Sequence, residues 1–198
     1  MQGWTDDLDR EVAAGRRLRE RALELAKEDQ YVLATSAYLH LQFGGDVPTA
    51  VSLIDRAVNL NPNSSAILEA STWVRIRAGD PELAVEHCLK AMQLNPLNQT
   101  RTPLAIAYFL LGREQEALSS IDEALINAPR ALPTLRFAAT IKAGCGRIEE
   151  ARELVKRIVE INPNPRRTRG ITFIPDKPEY NRKWTEARRL VLEMGMPE

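Results

Sequence analysis

One short block of sequence occurs four times in this chain, and its spacing constrains the fold more than any other feature. Each copy has a glycine, two small or aliphatic residues further on, and a closing proline. The copies are Gly45/Ala50/Ala57/Pro62, Gly79/Ala84/Ala91/Pro96, Gly112/Ala117/Ala124/Pro129 and Gly146/Ala151/Ile158/Pro163. Successive prolines lie 34, 33 and 34 residues apart. A constant period of this length predicts a helical solenoid, in which stacked units present one long surface.

The glycines and prolines also predict where each unit turns. A glycine suits a helix that ends in a left-handed residue, and the residue before a proline is pushed out of the α region. Asp46 and Asp80 follow their glycines as N-cap candidates. First helices are expected at 31–43, 65–78, 100–111 and 132–143, and second helices at, for example, 81–94 and 114–127. The two small residues of a second helix lie seven apart, so one face allows close packing.

These positions resemble the tetratricopeptide repeat, a helix-turn-helix unit of 34 residues. The match includes the glycine, the two small residues, the proline and a bulky residue between the small ones, which is Ile54, Cys88, Ile121 or Val155. The resemblance implies an all-α fold, a right-handed α-solenoid with four repeats at 31–64, 65–97, 98–131 and 132–165. The first helices depart from the family pattern, because its usual Trp and Tyr are mostly missing and Tyr108 is the one aromatic residue at the Tyr position.

Two further segments flank the repeats. Residues 1–30 are expected to form an N-terminal helix or partial repeat, since 16–27 resembles a second helix without its first. Residues 166–198 are expected to hold a connection and a capping helix. The stretch 178–194 is amphipathic, with Tyr180, Trp184, Ala187, Val191 and Met194 on one stripe, while 162–176 has several helix breakers and is expected to be extended.

Composition excludes several functional classes. The 27 basic residues balance 27 acidic ones, so bulk charge does not indicate a nucleic acid or an anionic membrane. No apolar run is long enough to span a membrane, and the N-terminus is polar and acidic where a signal peptide would be basic and then apolar. Two cysteines without metal-like spacing fit a reducing compartment. These features predict a cytoplasmic protein.

No residue pattern predicts catalysis, a metal or a cofactor. His40 and His87 lie in predicted helices without further ligands at metal-binding spacing on the same face. Gly144-Cys145-Gly146 lacks the third glycine and the preceding strand of a phosphate-binding loop. A group of basic residues near the C-terminus is read as a solvated face, because no aromatic platform accompanies it. Its members are Arg166, Arg167, Arg169, Arg182, Lys183, Arg188 and Arg189.

The resemblance places the binding surface on the concave wall of the solenoid, which the first helices line. Its apolar middle favours a hydrophobic peptide or helix as partner, whereas the Lys and Asn set that clamps a chaperone's C-terminal carboxylate is absent. Two alternatives stay open: an exposed strip, or side chains packed between helices or covered by the chain's own C-terminal segment, including Ile171, Phe173 and Ile174. The candidate partner-binding residues are Leu39, Phe43, Glu69, Trp73, Ile76, Arg77, Ile106, Phe109, Leu110 and Arg136.

A second resemblance concerns the context of the repeats. The phrases GGDVPTAVSLIDRAVNLNPNS, AGDPELAVEHCLKAMQLNPL and AYFLLGREQEAL, with the ending EMGMPE, are similar to the C-terminal repeat region of bacterial class III adenylate/guanylate cyclases. This resemblance implies a non-catalytic signalling scaffold that recruits protein partners or promotes subunit pairing as a homodimer, with a cyclase domain upstream and outside this sequence. The alternative is a self-contained enzyme or nucleotide sensor.

Overall fold

The computed structural model describes residues 7–96, 101–162 and 175–197, and within these ranges it contains helices and no strand. Helices α2 to α9 form four antiparallel hairpins, α2–α3, α4–α5, α6–α7 and α8–α9, that stack in order as the predicted all-α solenoid. The helices are α1 Leu8–Leu25, α2 Gln30–Gln42, α3 Val47–Leu60, α4 Ser65–Ala78, α5 Pro81–Leu94, α6 Arg101–Leu110, α7 Glu114–Asn127, α8 Leu132–Gly144, α9 Ile148–Ile161 and α10 Pro178–Glu193.

Each hairpin turns at a glycine in the left-handed region. At Gly79, where φ is +72°, the glycine N–H donates to the Ile76 carbonyl (3.2 Å) and the Asp80 N–H donates to the Arg75 carbonyl (2.9 Å). This pair of bonds is the Schellman motif, which satisfies carbonyls that the end of a helix leaves without partners. The other three turns repeat it around Gly44, Gly112 and Gly146.

The first hairpin corrects the register expected from the sequence. Its left-handed residue is Gly44, where φ is +76°, and not Gly45. The Gly45 N–H donates to the His40 carbonyl (2.8 Å), the bond that the Asp80 N–H makes in the second hairpin. One extra residue therefore separates this turn from α3. As a result, Tyr38 and Gln42 occupy the positions that Trp73 and Arg77 hold in the second hairpin.

The helix bounds agree with the positions of the turn glycines, the closing prolines and the capping residues. The predicted stretches 65–78, 81–94 and 114–127 coincide with α4, α5 and α7. Asp46 is confirmed as an N-cap, since its side chain accepts a hydrogen bond from the Thr49 N–H (2.8 Å), whereas Asp80 takes the N-cap position without a side-chain bond. Pro62, Pro96 and Pro129 each follow the end of a second helix, and Pro163 lies outside the described residues.

The core runs between the hairpins along the small faces of the second helices. The paired positions of the repeat are all buried, and the bulky residues between them are buried as well: Ala50, Ala57, Ala84, Ala91, Ala117, Ala124, Ala151, Ile158, Ile54, Cys88, Ile121 and Val155. Small side chains on these faces allow helix axes to approach closely, so the apolar groups are removed from water.

Ion pairs also join successive hairpins. Arg75 of α4 pairs with Asp55 of α3. Two hairpins later, Lys142 of α8 contacts Asp122 of α7 (2.6 Å) and Glu150 of α9 (2.7 Å). Burial by itself would lower the pKa of Lys142, but the hydrogen bonds to both carboxylates outweigh burial and raise it. The lysine is therefore charged and ties the third hairpin to the fourth.

Helix α1 packs on α2 as a second helix packs on the next first helix. It begins eight residues before the predicted stretch 16–27. Gly15 lies so close to the Phe43 ring that a Cβ at this position would come within 2.4 Å of it. The Arg16 Nε donates to the Phe43 carbonyl (3.0 Å). Phe43 thus forms part of the α1–α2 contact.

Candidate functional site

The first helices α2, α4, α6 and α8 form one side of the solenoid, called here the inner surface, and α10 lies across part of it. Three contacts mark its path. The Asp176 N–H donates to the Arg77 carbonyl at the end of α4 (2.8 Å). The Lys183 ammonium donates to the Phe109 carbonyl in α6 (2.6 Å). Ala187 lies over Gly144 in α8, so closely that a Cβ on Gly144 would come within 2.9 Å of it.

Helix α10 therefore extends further than the capping role expected from the sequence. It packs mainly on α8 of the last hairpin, and it continues over α6 towards the end of α4. The helix itself contacts α8 and α6, and Asp176, just before it, reaches the end of α4. Such a path resembles the recognition of an amphipathic helix in a groove.

Four aromatic rings hold α10 in place. The Trp184 ring meets Phe109 edge-on, with centroids 6.0 Å apart, and its centroid lies 5.9 Å from that of Phe137. Phe137 in turn packs against Trp73, again at 5.9 Å. Each such pair adds about 0.5–1.5 kcal/mol beyond the area that it buries. Trp184 is therefore the anchor of the helix, and it is only 3% exposed.

The structure places the ten candidate residues in three settings. Four of them are buried, as expected if they pack between helices and do not form an exposed strip: Ile76, Ile106, Phe109 and Leu110. Glu69, Trp73, Arg77 and Arg136 are half-buried along the inner surface. Leu39 and Phe43 are also half-buried, but the corrected register of the first hairpin moves them one position away from the equivalents of Trp73 and Arg77.

Phe137 contacts α10 through Trp184, and the sequence did not indicate this position. It follows Arg136 directly, so a pattern that assigns Arg136 to the groove gives its neighbour no role. A signal did exist in the amphipathic stripe of 178–194, because a buried Trp184 requires apolar partners elsewhere. The segment with Ile171, Phe173, Ile174 and the three arginines before it lies outside the described residues.

Two half-buried arginines, Arg77 and Arg136, lie along the inner surface. Burial lowers the pKa of Arg77, and nearby Asp176 partly opposes this shift. Burial also lowers the pKa of Arg136, but here the neighbouring charge is Arg188 of α10, which lowers it further. Asp176, just before α10, therefore complements the surface, whereas Arg188 of α10 is a like charge near the half-buried guanidinium of Arg136.

The part of the inner surface on α2 and α4 lies beyond the reach of α10 itself. Tyr38 and Glu69 are neighbours there: burial raises the pKa of Tyr38, and the Glu69 charge raises it further. Tyr31 and Ala66 are exposed nearby. This open part carries an acidic residue, aromatic rings and, at its boundary with α10, Trp73.

Other groups offer little chemistry. The Ser71 hydroxyl lies 2.8 Å from His87 Nδ1, but Ser71 is fully buried, so no substrate reaches it. Burial raises the pKa of the Cys88 thiol to about 12 and that of Cys145 to about 11, which leaves both thiols protonated and weakly nucleophilic. Within the described ranges no cluster of three metal-ligating side chains occurs.

None of the helices in those ranges has the length and apolar character needed to cross a bilayer. A family model for the tetratricopeptide repeat matches residues 5–160. The chain is a tetratricopeptide repeat protein. That family match includes α1, which agrees with the packing of α1 on α2 as an additional helix of the same array.

Solved structures with the same fold include two of MamA and one of YrrB. MamA AMB-1 has a TM-score of 0.60 at 23% identity, covering 78% of this chain and 96% of that one. MamA MSR-1 has a TM-score of 0.58 at 22% identity, with 78% and 94% covered. YrrB, a TPR protein with an unusual peptide-binding site, has a TM-score of 0.53 at 18% identity, with 89% and 88% covered. Comparison with curated protein sequences finds no match.

Proposed function

We propose that this tetratricopeptide repeat protein is a non-catalytic interaction module that binds a protein or peptide on its inner surface, and so recruits partners or pairs subunits. The observation that supports this proposal is the seating of α10, with Trp184 between Phe109 and Phe137. A surface that holds one amphipathic helix of this kind has the shape and apolar character to hold a protein segment.

The open part of the inner surface is the place where a ligand first makes contact in this proposal. Glu69 and Trp73 line it, and Arg77 and Arg136 lie further along. Ile76, Ile106 and Leu110 are buried and act from beneath by holding the shape of the wall, whereas Phe109 contacts Trp184 of α10 directly. Phe43 stabilises the first hairpin against α1, and Leu39 is half-buried one turn before it on α2.

Light scattering combined with selection from a displayed peptide library tests this function. We expect either a mass of two chains or a set of enriched peptides, and we expect Trp73→Ala to weaken the association. The control is Ile126→Ala, because Ile126 is 77% exposed on a second helix and remote from the inner surface. A chain that stays monomeric and enriches no peptide would contradict the proposal.

We further propose that the module is cytoplasmic and accompanies a nucleotide cyclase, on the strength of the sequence phrases that resemble the repeat region of class III cyclases. The reading frame upstream of Met1 tests this parentage: an in-frame cyclase domain supports it, and a stop codon directly upstream contradicts it. Calorimetry with ATP, GTP and their cyclic products provides a second test. Saturable nucleotide binding would favour a nucleotide sensor instead.

A further inference from the structure

Helix α10 is a template for the ligand that the inner surface accepts. Its three buried positions are Trp184, Ala187 and Val191, which lie at i, i+3 and i+7 and hence on one face. Trp184 fills the space between two phenylalanine rings, and Ala187 must be small because it covers Gly144. The pattern aromatic, small, aliphatic therefore describes the apolar side of any helix that fits here.

One pair of like charges lies at this interface. Arg188 is half-buried one turn after Trp184 on α10, and Arg136 is half-buried on α8 beside Phe137, on which Trp184 packs. The Arg188 charge also lowers the pKa of Arg136. Like charges in a partly desolvated site repel more strongly than in bulk water. The opposite end of the interface is matched, because Asp176 lies near Arg77. Helix α10 thus fits the surface in shape but not in charge at position 188.

We propose that the inner surface over α6 and α8 recognises an amphipathic helix of a partner protein in which an acidic residue takes the place of Arg188, and that α10 occupies this site until such a helix displaces it. The ligand has an aromatic residue, a small residue three positions later, an acidic residue next to it and an aliphatic residue at the seventh position. This inference rests on the proposed function, since it names the partner of the same surface.

The acidic residue supplies the difference in affinity that displacement requires. A ligand shifts an equilibrium only by its differential interaction with the two states. A carboxylate facing Arg136 replaces a repulsion with a charge-assisted hydrogen bond, which is among the stronger polar contacts in proteins. The shared apolar pattern gives no such advantage, because α10 already makes those contacts.

The internal helix is nevertheless a strong competitor. Residues 163–174 are all that separates Asn162 from Pro175, and a short tether of this kind gives an effective concentration of about millimolar. A free helix of identical sequence therefore binds weakly to the intact chain. Weakening α10 should expose the site, and improving the charge match should raise affinity in either background.

Fluorescence polarisation with labelled peptides of residues 175–197 tests the inference on the full-length chain. Three peptides are compared: the native sequence, Arg188→Glu, and Arg182→Glu as a control with the same charge change at an exposed position. We expect the Arg188→Glu peptide to bind about tenfold more tightly than either of the others. A chain carrying Trp184→Ala should bind all three about tenfold more tightly, because its own α10 competes less well.

A charge reversal on the chain excludes effects of misfolding. In a chain with Arg136→Glu, the order should invert, so that the native peptide binds more tightly than the Arg188→Glu peptide. Circular dichroism verifies that this variant retains its helices. The inference is overturned if Arg188→Glu binds no better than Arg182→Glu, or if the order does not invert.

The peptide-binding result can be distinguished from the test of the proposed function. If the chain pairs with itself or enriches peptides through the open part while no α10-like peptide binds, the interaction module stands and the assignment of its ligand fails. If the Arg188→Glu peptide binds and inverts its preference, the ligand class is supported whether or not the chain also forms dimers.

Discussion

Single residues join the hairpins, and Lys142 is the clearest case. Its side chain is 6% exposed, whereas Asp122 and Glu150 are about half exposed. Removing the lysine loses both ion pairs and the packing of its methylene groups. We expect Lys142→Ala to lower the free energy of unfolding by about 2 kcal/mol. Asp122→Asn should lower it by less than about 1 kcal/mol, because its partner keeps Glu150. Urea unfolding of both variants measures the difference.

The same cluster makes stability depend on pH. The pKa of Glu150 is lowered, first by the hydrogen bond from Lys142 and then by that from Arg147. A lowered carboxyl pKa contributes stability above the unfolded value, about 4.3, that is lost as pH falls through the folded value. The raised pKa of Lys142 acts in the opposite sense: its contribution is complete below about pH 10 and is lost at higher pH.

We therefore expect wild type to lose stability between about pH 5 and about pH 3, as Glu150 takes up its proton, and Lys142→Ala to lose less over that interval. Lys156→Ala is the matched control, because Lys156 is an exposed lysine paired with Glu153 on the same hairpin. Urea titrations at both pH values give the comparison. If the wild-type chain and Lys142→Ala lost the same free energy of unfolding, the pH dependence would not come from the pair of Lys142 and Glu150.

Two turn glycines separate backbone strain from contact with α10. Gly79 and Gly146 have nearly the same φ, +72° and +75°. A Cβ on Gly146 meets nothing within 4 Å, whereas a Cβ on Gly79 would lie 2.8 Å from the Lys177 Cβ. Gly146→Ala should cost about 1–2 kcal/mol from strain alone. Gly79→Ala should cost more, because its Cβ also collides with Lys177. Thermal unfolding of the two variants measures the difference, and equal losses of stability would contradict the contact with Lys177.

At the scale of elements, sequence reasoning succeeded where local chemistry decides. The bounds of α4, α5 and α7 follow from the glycine before each second helix and the proline after it. The register of the first hairpin failed because Gly44 and Gly45 are adjacent and both lack a side chain, so sequence cannot tell which adopts positive φ. The position of α10 depends on contacts with α6 and α8, and periodicity carries no information about such long-range packing.

Helix α10 should also open independently of the hairpins. It packs on one side of the solenoid, whereas α5 and α7 lie between neighbouring helices on both sides. Regions with fewer buried contacts open at lower free energy than the global unfolding. Hydrogen exchange with mass spectrometry should therefore find weaker protection in α10 than in α5 or α7. Equal protection in all three helices would mean that α10 belongs to the main cooperative unit.

At the scale of the whole molecule, the fold is a line of units that contact their neighbours. The buried residues form two clusters, one around the first hairpin and a larger one from α4 to α10. The stability of such arrays is close to a sum over units and interfaces. This organisation predicts that a destabilising substitution at one end of the solenoid affects the neighbouring hairpin more than the distant ones.

Ile54→Ala tests this locality. The side chain is fully buried in the first cluster, and its truncation should cost about 2–5 kcal/mol. We expect α2 and α3 to lose protection from hydrogen exchange while α7 and α9 keep theirs. Ile121→Ala is the matched change in the larger cluster, and it should affect α6 to α10 together. Uniform loss of protection after Ile54→Ala would show that the array unfolds as one unit.

Helix α10 lies on the inner surface, and in our proposal a partner helix takes its place. Spin labels at Arg189→Cys on α10 and Ser119→Cys on α7, in a Cys145→Ser background, measure it by the distance between them. We expect one narrow distance for the chain alone and a longer, broader distribution when the Arg188→Glu peptide saturates it. A broad distribution without peptide, or an unchanged distance with peptide bound, would contradict it.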